Sequence, residues 1–299
     1  MFKRFGKSSK ILSLMLALIM VFGLTSTVLA TGDGVLDISV VNEDIHAKMN
    51  AVKVGDVTRY TGYIEFPKGS TQDLSKVEIE AEITGAYNLK VDGVDYEDGM
   101  SVDFSKGYVD FTLNKKNGKE FRTYQVNAGI EGKHVQLIVS FNLDNAKAWV
   151  NGSYKSNNKE GYEVPKASAN ENAKKRVEDA LLGFGKTEII PVSAEIGKSA
   201  MDAFNNAIAG KGYNIVGTGY ISEIGKDGNP TLPDRLFQRT EPSKFPEGDY
   251  MADRTGWIYL MNEKVANMGA TQYIITASDK SITWGYTFDW GIDLGGPEW

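Results

Sequence analysis

The 299-residue chain carries 33 Lys and Arg against 39 Asp and Glu, a formal charge of −6 that excludes the basic footprint needed to grip nucleic-acid phosphates. It contains no cysteine, which excludes disulfides, thiol chemistry and a lipid-bearing cysteine anchor, so the fold must rest on burial. Its length suits two domains.

Residues 1–30 read as a secretory signal peptide. Lys3, Arg4, Lys7 and Lys10 precede an apolar run at 11–22, and Val28-Leu29-Ala30 closes on a small residue. The run is shorter than the roughly 20 residues of a spanning helix, and no transmembrane segment is expected in the mature chain. Removing it strips four positive charges and no acids, leaving a more acidic product expected to be secreted, without a covalent anchor to the envelope.

Residues 31–150 read as an antiparallel β-sandwich, the larger part of a mainly β chain with a smaller α+β domain. Val77, Ile79, Ala81 and Ile83 alternate with Glu78, Glu80 and Glu82, as in a sheet with one buried face. A longer strand region spans 52–66, and further strands are expected at 87–91, 101–104, 108–113, 121–128 and 134–141. Asp92-Gly93, Asp98-Gly99 and Asn117-Gly118 supply tight turns. The run is similar to the cadherin-like and immunoglobulin-like modules of bacterial surface proteins. Asp92, Asp95, Glu97, Asp98 and Asp103 offer oxygens to calcium, but their spacing fits no established loop and hairpin turns explain the Asp-Gly pairs. His46 and His134 lack metal-ligand spacing.

Residues 151–185 read as a polar linker followed by a short helix at 172–184, with Val177, Ala180, Leu181 and Phe184 at helical spacing. Lys174-Lys175-Arg176 is a solvated helix face, and the sequon at Asn151 is incidental. Residues 186–299 form the second domain. A strand at 187–196 leads to a helix at 200–209, N-capped by Ser199, with Met201, Phe204, Ala207 and Ile208 on one face. Gly210 and Gly212 stop it, and a strand at 213–224 follows. The segment 225–255 is a long polar loop holding four of the eight prolines.

The chain then reads Gly256-Trp257-Ile258-Tyr259-Leu260-Met261-Asn262, Met268-Gly269-Ala270 and Ser281-Ile282-Thr283-Trp284-Gly285-Tyr286. With Gly219-Tyr220-Ile221-Ser222-Glu223-Ile224-Gly225 before it, this order resembles the small C-terminal β-domain of transcobalamin and intrinsic factor. The resemblance covers about residues 187–289. It departs at Glu263, where family members often have Gly, and at Ser278-Asp279-Lys280, which replaces an acidic turn. The large helical domain that completes vitamin enclosure in transcobalamin is absent.

The resemblance implies a domain that binds cobalamin or a related corrinoid without covalent chemistry. Trp257 and Tyr259 would contact the macrocycle, Met268, Gly269 and Ala270 would offer backbone groups, Tyr286 would form a side wall, and Asn262 would contact an amide or make the turn. Against this, Trp257 and Tyr259 sit two apart, as do Trp284 and Tyr286, so each pair shares a strand face that packing could claim entirely. The rival reading is a structural or adhesion protein recognising a surface protein or glycan. No catalytic residue, catalytic cofactor or structural metal is expected, and Trp290 and Trp299 carry no assigned role.

Overall fold

A computed structural model describes residues 35–54, 57–156, 162–185, 188–244 and 253–297. The expected signal segment and Trp299 lie outside them. Among the described residues no helix is long and apolar enough to cross a membrane. The chain is mainly β, with few helices.

The alternation of branched and acidic residues builds the first unit. Strands β1 (Leu36–Val40), β4 (Val77–Ile83) and β7 (Met100–Val102) form an antiparallel three-stranded sheet in that order. In β4, Val77 and Ile79 are buried while Glu78, Glu80 and Glu82 are exposed. This sheet shares a core with a six-stranded one, ordered β2 (Lys48–Val54), β3 (Val57–Phe66), β9 (Glu120–Ile130), β8 (Val109–Lys115), β5 (Tyr87–Val91) and β6 (Val94–Asp95). Ile38, Ile64, Phe66, Val77, Ile79, Phe111 and Val126 fill the space between them, each contributing about 1.5–3 kcal/mol by leaving water. Strands β3 and β9 pair in parallel, so the sandwich is not wholly antiparallel.

The expected membership of 134–141 in the sandwich does not hold. Strand β10 (His134–Asn142) pairs antiparallel with β11 (Ile189–Glu195) and parallel with β17 (Ser281–Thr287). It is thus an inner strand of a second sheet ordered β11, β10, β17, β15 (Gly256–Met261) and β16 (Lys264–Val265). The two cores separate at the turn 131–133, not at 150. Alternation of Leu137, Val139 and Phe141 announces a half-buried strand but carries no information about which core it faces.

The described residues of 151–185, expected as a polar linker and a short helix, pack into the second core through Ala167 as well as through that helix. Helix α1 (Asp144–Val150) buries Trp149, whose indole N–H donates to the Pro165 carbonyl at 2.7 Å and whose ring lies 5.1 Å from Phe288. Helix α2 (Glu171–Phe184) buries Ala173, Val177, Ala180 and Phe184 in the second core. Helix α3 (Ala200–Ile208) begins with the expected cap: Asp202 N–H donates to Ser199 Oγ at 3.1 Å and Ser199 N–H returns to Asp202 Oδ2 at 3.0 Å, an arrangement contributing about 1 kcal/mol. Among its described residues the second unit therefore holds three helices and a short fourth, α4 (Leu236–Thr240), where two were expected, at 172–184 and 200–209. The strand expected at 213–224 is a hairpin of β12 (Tyr213–Val216) and β13 (Glu223–Lys226), extended by β14 (Leu232–Pro233) from within the expected long loop.

Strand β9 docks the two units. Asn127 is fully buried, and with its side-chain oxygen turned toward β11 it accepts from the N–H groups of Val192 and Ser193 at 3.1 and 3.2 Å. A side chain at Gly129 would meet Tyr63 Oη at 2.3 Å and Ser193 Oγ at 2.6 Å, so glycine permits the close approach. On the second sheet's other face, the 3₁₀ turn Ile292–Leu294 covers β17, and a Cβ at Gly285 would lie 2.5 Å from Leu294.

Candidate functional site

The aromatic strands face the helices. Trp257 is 3% exposed, Tyr259 6%, Trp284 4% and Tyr286 0%. Trp257 packs edge-on to Tyr286 at 5.3 Å, Tyr259 lies 5.5 Å from Trp284, and Phe204 of α3 lies 5.1 Å from Trp284. Three of the four spend their polar atoms internally: Trp257 Nε1 donates to Leu232 O, Tyr286 Oη to Pro233 O and Tyr259 Oη to Met268 O, at 2.6–2.7 Å, while Trp284 Nε1 is buried without a partner among the protein atoms. Burial pushes the Tyr286 hydroxyl far above its ordinary range. The roles expected of the Trp257, Tyr259 and Tyr286 rings as ligand surface are therefore corrected, although Trp257 also borders a hollow beside β15. One face of a small sheet must be core, and these rings supply it.

The turn and loop divide similarly. Asn262 and Glu263 both adopt left-handed backbone, φ 50° and 68°, and make a two-residue hairpin between β15 and β16. Asn262, although exposed, acts as a clamp: its Oδ1 accepts from Lys280 N–H at 2.7 Å and its amide donates to Asp279 Oδ1 at 2.9 Å. Ala270 is buried and its carbonyl accepts from Met201 N–H in the first turn of α3. Of the residues expected to touch a ligand, Asn262, Met268 (44% exposed) and Gly269 are exposed. The structure does not bring the expected set together.

The acidic turns are spent locally. Asp92 Oδ1 accepts from Asp110 N–H, Asp95 pairs with Lys90, Asp98 accepts from Tyr96 Oη, and Asp103 accepts from Ser105 N–H. Among the described residues no group of three or more His, Asp or Glu gathers at metal-holding distance. His46 pairs with Asp37, and His134 accepts from Ile130 N–H, its pKa lowered by burial.

A hollow of about 320 Å³ opens beside β15, lined in part by Tyr220, Arg235, Arg254, Trp257, Ile258 and Trp290. Tyr220, on the β12–β13 connection, is 61% exposed, and Trp290 is half-buried. The guanidinium of Arg254 lies 4.4 Å from the Tyr162 ring centre and 4.9 Å from that of Trp290. It pairs with the fully buried Asp289 at 3.1 Å. The Tyr220 ring is exposed, but its hydroxyl end is desolvated against Gly256 and Asp234, which raises its pKa to about 12. Arg235 (φ 49°) and Trp290 (φ 46°) hold left-handed backbone, which is strained for bulky residues. Sequence reasoning noted Tyr220 in a motif and left Trp290 unassigned. It missed Arg235 and Arg254, because no spacing links them before the chain folds.

No protein-family model, curated protein or solved structure matches the chain. The likeness to the transcobalamin domain thus rests on the residues quoted for it.

Proposed function

We propose that this chain is an exported, non-catalytic binding protein, an adhesion module whose second unit recognises a glycan in the hollow between Tyr220 and Trp290. The observation that carries this reading is the pair of strained, bulky residues on the rim of one aromatic concavity. Backbone strain of about 1–3 kcal/mol per residue persists where the surroundings enforce it, and such residues cluster at ligand clamps. Aromatic rings offer a flat surface for the C–H face of a sugar, while Arg235 and the hollow's polar atoms suit hydroxyls. A corrinoid is a poorer occupant. The hollow sits at the low end of the roughly 300–1,000 Å³ of drug-sized sites, a corrinoid is larger than such ligands, and the rings assigned to its macrocycle face inward.

The test follows the Trp290 indole N–H resonance in the ¹⁵N-labelled protein during titration with cello-, chito- and malto-oligosaccharides and with cyanocobalamin. At least one saccharide series should shift it, and Trp290→Ala should weaken that binding tenfold or more, about 1.4 kcal/mol. A shift with cyanocobalamin and none with saccharides reverses the assignment in favour of the corrinoid.

A further inference from the structure

A second concavity of about 250 Å³ lies where the two units meet, well apart in composition from the Trp290 hollow. The sandwich contributes Tyr108, Asp110 of β8, and Gln125 of β9; the second unit contributes Glu188, Lys211, Tyr213 and Lys226. Most of its polar groups have partners. Glu188 accepts from Lys226 Nζ at 2.7 Å and from Tyr213 Oη at 3.0 Å. Lys211 Nζ donates to the Tyr108 carbonyl at 3.3 Å and stands 3.7 Å above the Tyr108 ring centre.

Two atoms do not fit this pattern. Asp110 and Gln125 are directly opposed across β8 and β9, so their side chains stand side by side on one sheet face. Asp110 Oδ1 and Gln125 Oε1 are both buried without a hydrogen-bond partner among the protein atoms. Each such acceptor has given up its water without recompense, and native structures rarely tolerate two together without a reason. Burial pushes the Asp110 carboxyl above its usual range, while Lys211 and a hydrogen bond from the Gln125 side chain oppose the shift, so the two side chains meet through their other polar atoms and only these two oxygens of the pair lack a donor.

The missing partner must donate hydrogen bonds twice over a short span. A metal ion or an ammonium group would satisfy oxygens, but the cleft already holds Arg59, Lys211 and Lys226 against two carboxylates, Asp110 and Glu188, with Glu188 paired to Lys226, so its net positive lining disfavours a further cation. Neutral hydroxyls meet no such penalty. The flanking tyrosine rings offer apolar surface to the carbon skeleton that carries them. We infer that the cleft between the units is a ligand site for a neutral polyhydroxyl group, a single sugar residue, whose hydroxyls donate to Asp110 Oδ1 and Gln125 Oε1. Residues of both units contact this ligand.

The probe is a set of methyl glycosides (gluco, galacto and manno) added to the ¹⁵N-labelled protein, with the fully O-methylated glucoside, which has acceptors but no donors, as the contrast. At least one glycoside should shift the amide resonances of Asp110 and Gln125, and the O-methylated compound should not. Asp110→Asn supplies an internal donor to Gln125, and should raise the melting temperature without ligand while weakening glycoside binding at least tenfold. Gln125→Met, close in volume, should weaken binding comparably if the first variant does not fold. Trp290→Ala should leave these shifts intact, which separates this cleft from the hollow proposed above. A cleft that holds water only, seen as no shift from any glycoside, overturns the inference. Equal shifts from the O-methylated compound, or glycoside binding unchanged in both variants, overturn it as well.

Discussion

Glu263 occupies the second central position of a hairpin turn that places it at φ 68°. A side chain in left-handed backbone costs about 1–2 kcal/mol relative to glycine, partly offset by the entropy glycine loses on folding. Glu263→Gly should therefore raise the urea midpoint by about 1 kcal/mol of stability, and a lowered midpoint would mean the carboxylate has a compensating contact. Asp279 works in the opposite sense. Burial pushes its carboxyl up, but Thr276 N–H, the Asn262 amide and the Tyr273 and Thr276 hydroxyls outweigh that and hold the pKa below 3.8. A depressed folded pKa favours the folded state fully above the unfolded value, and the contribution is lost as pH falls through the folded one. In urea unfolding, Asp279→Asn should cost about 2 kcal/mol at neutral pH, and its deficit should close as the solution is acidified below about pH 4. A constant deficit across that range would show that charge is not the cause. The turn at Asn262 was readable from sequence, since Asn tolerates positive φ. Its clasp on Asp279 was not, because the two lie 17 residues apart.

Strands and helices with strong local signals were legible. The Val77–Ile83 alternation and the Ser199-capped helix both stand where their residues put them. Helix α1 was missed although Ala146, Trp149 and Val150 carry helical spacing, because the preceding strand was assigned to the sandwich. That assignment failed for a physical reason: pleat alternation fixes a face, and only long-range pairing fixes the partner. A fragment of residues 35–132 should accordingly give a cooperative unfolding transition. One of residues 35–150 carries β10 without β11 or β17, and should bind a hydrophobic dye and self-associate, as an open apolar edge does. Equal solubility of the two fragments in gel filtration would contradict the assignment of β10 to the second core.

At the level of the whole molecule, both concavities border the β12–β13 hairpin, Tyr220 at its connection and Tyr213 and Lys226 at its base. Their linings come from segments far apart in the chain, which is why motif spacing pointed to β15 and β17 instead. Those strands hold the aromatics because the core needs them. The parallel pairing of β10 with β17 has one more effect, on the order of assembly. The strand that fits between β10 and β15 is made about 140 residues after β10 itself. At roughly 5–20 residues per second, a nascent chain waits on the order of ten seconds with Leu137, Val139 and Phe141 lacking their neighbour, a window in which a chaperone that shields greasy segments would decide the yield.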